Sequence, residues 1–308
     1  MIVALTGGTG GAKLVEGLAA AVDPSELTIV CNTGDDCVFH GLHISPDIDT
    51  ITYTLAGLCD TDKGWGIKGD TFVALEQLRR LGNDAWFNLG DKDLATHITR
   101  TRLLNEGRKL SEITEQIRRA LGISAKILPM SDDRVETRVK TVAGEISFQE
   151  FFVKERWAPD VLAVRIAGAQ QSRPAPGVLD AIRHAEAIII CPSNPITSIG
   201  PILAVPGIRA SLEEADAPVV GVSPIIGAAA ISGPAHKLMR ASGGQASALG
   251  VAKCYGGFLD RFLIAAEDRS LAPEIENLGI GTVCADIRMS SFADKKRLAR
   301  EVLASVEK

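Results

Sequence analysis

Nowhere does this 308-residue chain run through about 18 apolar residues in succession, so no segment is expected to span a membrane as a helix. Basic charge is not in excess: 33 Lys and Arg stand against 38 Asp and Glu, a net charge of −5. A nucleic-acid surface needs clustered Lys and Arg, so that class of partner is set aside. The six cysteines (Cys31, Cys37, Cys59, Cys191, Cys254 and Cys284) form no Cys-x-x-Cys pair. Four of them lie in apolar stretches and read as small buried hydrophobes, which fits a reduced cytoplasm. The first residues open a strand directly, without the basic and apolar regions of a signal peptide. Neither a Gly-x-Ser-x-Gly elbow nor a Cys–His signature is present. Aromatic residues make up only 5%. What remains is 46% hydrophobic and 23% charged, the ordinary balance of a globular protein, with length enough for a large core.

Short apolar runs alternate with helical patterns, which predicts an α/β fold, a parallel sheet covered on both faces. Strands are expected at Ile2–Thr6, Leu27–Cys31, Val161–Ile166, Ala187–Cys191, Val219–Val222 and Phe262–Ala265. A helix pattern runs from Lys13 to Ala21, with Leu14, Leu18 and Val22 in phase. The middle of the chain reads differently. Helices are expected from Asp70 to Gly82, from Asp91 to Glu106, and from Ser111 to Gly122, with one strand at Trp86–Leu89 between them. Val135–Val142 and Glu145–Phe152, split by Ala143-Gly144, predict a β-hairpin. Residues 55–155 are therefore expected to form an inserted, mainly helical subdomain. Residues 1–54 and 156–308 would make the nucleotide-binding core.

The chemistry gathers near the start. The first strand runs into Gly7-Gly8-Thr9-Gly10-Gly11-Ala12-Lys13. Glycines let backbone N–H groups close on phosphate oxygens, and a following helix adds its positive end. The loop lacks the Gly-Lys-Ser/Thr ending of a P-loop, and Lys13 stands where a dinucleotide fingerprint needs its third glycine. A tight turn between strand and helix would explain the glycines equally simply. Asp35, Asp36, Asp47 and Asp49 then fall within fifteen residues. A ribose-binding acid needs one of them; carboxylates beside a phosphate need a cation between, most simply Mg²⁺. Gly90-Asp91-Lys92-Asp93 opens a helix, where acids suit the dipole but Lys92 needs an anionic partner. His97 follows on the same helix, as a ligand or as a packed histidine. Ser193-Asn194-Pro195 and Ser223-Pro224 follow strands as hydrogen-bonding loops or plain turns. Trp65, between two glycines, stacks on a planar ring or anchors the core. His40-x-x-His43 lacks further spaced ligands for zinc.

Taken in order, these motifs closely resemble the 2-phospho-L-lactate transferases of coenzyme F420 biosynthesis. Ser45-Pro46-Asp47-Ile48-Asp49-Thr50, Gly64-Trp65-Gly66-Ile67-Lys68-Gly69-Asp70 and Leu128-Pro129-Met130-Ser131-Asp132-Asp133 carry the same resemblance. It runs from residue 1 to about 290. It implies a Mg²⁺-dependent transferase and a homodimer with a Rossmann-like core and an inserted subdomain. Such an enzyme joins a phospholactyl or phosphoenolpyruvyl group of a guanosine diphospho-donor to the deazaflavin Fo, releasing GMP. By position, it implies Fo contacts at Asp49 and Lys92, where the family often has Arg, and with them Trp65 and His97. Gly7, Gly8, Thr9, Gly10, Gly11, Lys13, Ser193 and Asn194 would hold the guanosine diphosphate. Asp36 and Asp49 would hold the metal, making Asp36, Asp49 and Lys92 the catalytic set. A related family of non-catalytic nucleotide-sugar binders shares the glycine loop and the Ser-Asn-Pro feature. Asp47–Thr50 together with Gly90–Asp93 favours the transferase. A dehydrogenase is disfavoured by the missing third glycine and the surplus of acids.

Overall fold

The computed structural model describes residues 1–227, 229–230 and 233–306. Five contiguous apolar runs form wholly or almost wholly buried strands, as expected when both faces of a parallel sheet are covered. They are β1 (Ile2–Thr6), β2 (Leu27–Cys31), and, later, the strands at Ala187–Ile190, Val219–Val222 and Arg261–Ala265. Between β2 and those later strands lie β3 (Cys37–Phe39), β4 (Leu42–Ile44), β5 (Lys126–Pro129), β6 (Glu136–Thr141), β7 (Gly144–Ser147) and β8 (Val161–Ala167). Ala187–Ile190 is thus β9, Val219–Val222 is β10, and a short pair, β11 (Ile225–Ile226) and β12 (Ala229–Ala230), precedes β13 (Arg261–Ala265) and β14 (Gly281–Ala285).

The main sheet has seven strands in the order β14-β13-β10-β9-β1-β2-β5, all parallel. Strand order reverses direction between β1 and β9, whose registers run Ile2↔Ala187 to Leu5↔Ile190. In open α/β sheets the crevice at such a reversal, at the carboxyl ends of the strands, is where ligands bind. Helix α1 (Gly8–Ala19) covers one face, burying Leu14, Val15 and Leu18 against Ile29, Ile189 and Val220 in a single apolar cluster. The C-terminal helix Phe292–Val306 packs on α1 so tightly that a Cβ at Gly17 would lie 2.2 Å from the Lys295 carbonyl oxygen.

Four helices come next in the chain: α2 (Pro46–Leu55), α3 (Val73–Arg80), α4 (Asp93–Asn105) and α5 (Leu110–Ala120). The three expected helices are present, each within a turn of its predicted bounds. The expected strand at Trp86–Leu89 is not one. Trp86 and Phe87 instead pack edge-on and tilted against Phe39, at centroid distances of 5.2 and 5.9 Å. Two further expectations need correction. Residues 126–129, inside the expected insertion, return to the main sheet as its edge strand β5, paired with β2 from Thr28↔Lys126 to Cys31↔Pro129. Val161–Ile166 is a strand but not a core one: β8 pairs antiparallel with β6 in a separate three-stranded sheet, β7-β6-β8. Its pattern explains this, since Leu162 and Arg165 are exposed and Arg165 reaches Glu145 on β7. The predicted hairpin is β6–β7, shorter than expected because residues 150–154 wind into a single π-helical turn.

No helix among the described residues is long and apolar enough to cross a membrane.

Candidate active site

A cleft of about 760 Å³ opens at the β1/β9 reversal. Its floor is the turn from β1 into α1. Gly7 is extended (φ −159°) and Gly8 left-handed (φ +64°), a conformation that favours glycine. Gly10 and Gly11 answer to packing: a Cβ on Gly10 would lie 2.6 Å from the Pro192 carbonyl oxygen, and one on Gly11 would lie 1.8 Å from Thr6 Oγ1. Gly7, Gly8, Thr9, Gly10 and Lys13 line the cleft, whereas Gly11 lies buried behind them. Lys13 has no ion-pair partner among the described residues, so its charge faces the cleft uncompensated.

Ser193 and Asn194 line the cleft from the loop after β9. The Ser193 hydroxyl donates to the Gly7 carbonyl (2.7 Å) and accepts from the Gly7 N–H (3.2 Å), tying the two loops together. Asn194 Oδ1 accepts from the Ile196 and Thr197 N–H groups, which shapes its own turn. Ser223 is likewise spent on its turn, accepting from the Ile225 N–H and donating to the Ile225 carbonyl.

The acids divide into two groups. Asp35 and Asp47 line the cleft near the glycine turn, both buried. Burial pushes the Asp35 carboxyl well above the usual range, helped by the charge of Asp47, and its Oδ1 is buried without a hydrogen-bond partner. Burial raises Asp47 to about 6, against the Asn32 side chain, which donates to its Oδ2 at 2.9 Å, and the Gly8 N–H. Farther along, Asp49 and Asp93 line the cleft with Tyr53 and His97. Asp49 and Tyr53 are one turn apart on α2; Asp93, His97 and Arg100 share one face of α4. Tyr53 donates to Asp93 Oδ1 at 2.5 Å, and His97 Nε2 lies 3.1 Å from the same oxygen. Burial raises the Asp93 carboxyl, but His97, Tyr53 and the charge of Arg100 outweigh it and hold the group below its ordinary range. Arg100, 1% exposed, donates to both oxygens of Asp49, Nη1 to Oδ2 at 3.1 Å and Nη2 to Oδ1.

These contacts correct two expectations. Asp36 does not line the cleft: its Oδ2 accepts from Ser45 at 2.7 Å, and burial raises its carboxyl against the opposing effects of Ser45 and Arg100. The cation beside Asp49 is Arg100 and not Lys92. Lys92 is exposed and turned away, its Nζ 3.1 Å from the Gly69 carbonyl oxygen, which is how a cation is accommodated at that helix start. Trp65 does line the cleft, 38% exposed, with the Lys63 ammonium 5.8 Å from its ring centroid. The cleft lining also includes Phe148 and Phe152, stacked at 5.5 Å, from the segment after β7. Sequence reading missed these two rings, and Arg100 as well. For Arg100 a signal existed in the Asp93, His97, Arg100 spacing of four and three.

Two sets of residues bear on a metal. Ligand atoms of Asp49, Asp93 and His97 lie within 4.8 Å of one another. Arg100 already occupies both oxygens of Asp49 and Tyr53 one of Asp93, so a cation there would have to displace these bonds. Asp35 and Asp47 offer oxygen only, which suits Mg²⁺, and Asp35 Oδ1 lacks a partner. The Asp36–Asp49 pair fits less well, because only one of the two faces the cleft. His43, next to Asp36, is pushed down to about 4 by burial and then by the charge of Arg100. An NMR pH titration should find its imidazole titrating near pH 4 instead of near 6.5; a midpoint above 6 would show it to be solvated.

The family model for 2-phospho-L-lactate transferase CofD matches residues 2–298. The chain belongs to this family. Similar relatives span nearly the whole of both chains. A phosphoenolpyruvate transferase of Streptomyces griseus is 44% identical over 99% of this chain and 98% of its own. A 2-phospho-L-lactate transferase of Methanosarcina mazei is 43% identical over 98% and 99%. Among solved structures, a upf0052 family member from Bacillus halodurans superposes with a TM-score of 0.66 at 17% identity, covering 98% of each chain. That likeness shows the fold alone: a CofD-type seven-stranded parallel sheet with flanking helices.

Proposed function

We propose that this transferase moves a 2-phospholactyl or phosphoenolpyruvyl group from a guanosine diphospho-donor to the deazaflavin Fo, releasing GMP. The observation that carries the reading is one cleft with two unlike arms. The glycine turn, Lys13 and the Ser193–Asn194 loop suit a diphosphate; Trp65, Tyr53, Asp93 and His97 suit a planar ring bearing a hydroxylated chain. The group transferred is taken from the relatives above, a phosphoenolpyruvate transferase and a 2-phospho-L-lactate transferase.

In this reading the diphosphate lies over the N-terminal turn of α1, with Lys13 offsetting its charge. A terminal hydroxyl of the acceptor reaches the phosphorus from the α2–α4 side. Its oxygen forms the new P–O bond, the bond from that phosphorus to the bridging oxygen breaks, and GMP leaves with that electron pair while the hydroxyl proton is released. Four acids in one cleft would repel such a donor. Asp35 and Asp47 would hold Mg²⁺, which when bound offsets the charge of the diphosphate. As the family resemblance implies, the protein would act as a cytoplasmic homodimer.

The test is to supply purified protein with Mg²⁺, Fo and each guanosine diphospho-donor, then weigh the products. A deazaflavin gaining the phosphoester mass together with one equivalent of GMP is expected. Binding of a nucleotide sugar with no turnover of any donor would overturn the reading in favour of a non-catalytic binder.

A further inference from the structure

The face of α4 that meets α2 carries an arrangement that the diphosphate chemistry does not use. His97 is 1% exposed and lines the cleft. Arg100 Nη1 lies 3.4 Å from His97 Nδ1, and Asp49 Oδ2 lies 3.7 Å from it, beyond hydrogen-bond range. A guanidinium can only donate. Nδ1 must therefore present its lone pair to Arg100, which puts the ring proton on Nε2. That Nε2 is buried and has no aligned hydrogen-bond partner, although Asp93 Oδ1 is 3.1 Å away.

A buried donor left unpaired costs free energy, and here it borders a cleft. We propose that Arg100 is a positioning residue that fixes His97 as the Nε2–H tautomer, and that this N–H donates to a hydroxyl of the acceptor. Arg100 is itself locked by Asp49, whose two oxygens accept from Nη1 and Nη2, leaving the second Nη1 hydrogen for Nδ1. The acceptor end of the cleft thus sets one directed N–H beside the Asp93 carboxylate, a donor and an acceptor together, which suits a polyol hydroxyl. The identity of the acceptor rests on the function proposed above; the tautomer does not.

Nitrogen-15 NMR of histidine-labelled protein reads the tautomer without any substrate. A protonated, pyrrole-type Nε2 and a bare, pyridine-type Nδ1 are expected for His97, and the Arg100→Gln variant should lose that preference. An Nδ1–H signal in the unaltered protein would overturn the assignment. Steady-state kinetics then read the donation: His97→Ala should raise the KM for Fo about tenfold, the worth of one hydrogen bond, while the KM for the donor moves less than about twofold. Arg100→Lys, which keeps a donor at the position, should keep part of the Nε2–H preference that Arg100→Gln loses. Equal rises in both KM values would show a merely structural histidine. If Fo proves not to be a substrate the kinetic arm fails alone, and the NMR arm still decides the tautomer.

Discussion

Asp49→Ala should cost about 3–5 kcal/mol of stability, the penalty of leaving a buried charge without its partner. Arg100 is among the largest fully buried side chains of the protein, and both Asp49 oxygens accept from it. Once Asp49 is gone, the other acids near Arg100, Asp36 and Asp93, make no hydrogen bond to it and are engaged by Ser45 and by Tyr53. Urea denaturation followed by far-ultraviolet circular dichroism reads the loss directly. Replacing both partners, as Asp49→Leu with Arg100→Met, should recover most of it, since two apolar groups leave nothing unpaired. A single variant that loses less than about 1 kcal/mol would show the ion pair to be solvated.

Two alanine substitutions on one helix should separate packing from binding. Gly17→Ala and Gly10→Ala each drive a methyl into a backbone carbonyl, at 2.2 Å from Lys295 O and 2.6 Å from Pro192 O. Exchanging glycine for alanine inside a helix ordinarily gains up to about 1 kcal/mol. Overpacking against backbone costs about 1–3 kcal/mol, so both variants should melt earlier than the parent protein. Only Gly10 lines the cleft. Its variant pushes α1 away from the β9 loop and should weaken GDP binding at least tenfold (about 1.4 kcal/mol) by titration calorimetry. The Gly17 variant should bind GDP as the parent does. Equal weakening in both would mean that the glycine turn does not shape the nucleotide site.

Much of this was legible in the residues because its causes are local. β1, β2, β9, β10 and β13 are buried on both faces, so each is an unbroken apolar run. The edge strands were harder. β5 is four residues ending in Pro129, set among helices, and β14 is only half-buried. Val161–Ala167 was recognisable as a strand, but its sheet depends on partners far along the chain. The site divides in the same way. Glycines at a strand end and acids in a loop declare themselves by type and spacing. Arg100 lies 51 residues from Asp49; its spacing from Asp93 and His97 puts it on their helix face, but does not say that this face meets Asp49. Lys92 looked suitable because it is a cation beside the right acids, yet direction along the helix decides, and Arg100, buried at the second turn, takes the place expected of it.

The pairing of β2 with β5 has a consequence for how the chain assembles. Everything between Cys31 and Lys126, including α2 to α5 and therefore Asp49, His97 and Arg100, is the crossover of a single parallel strand pair. A contact that distant in sequence forms late, because the intervening chain must be ordered before its ends can register. Helices α2 to α5 and the edge strand β5 therefore fold as one event. By the same logic the turn from β1 into α1, held by Ser193 at a separation of 186 residues, is completed no earlier.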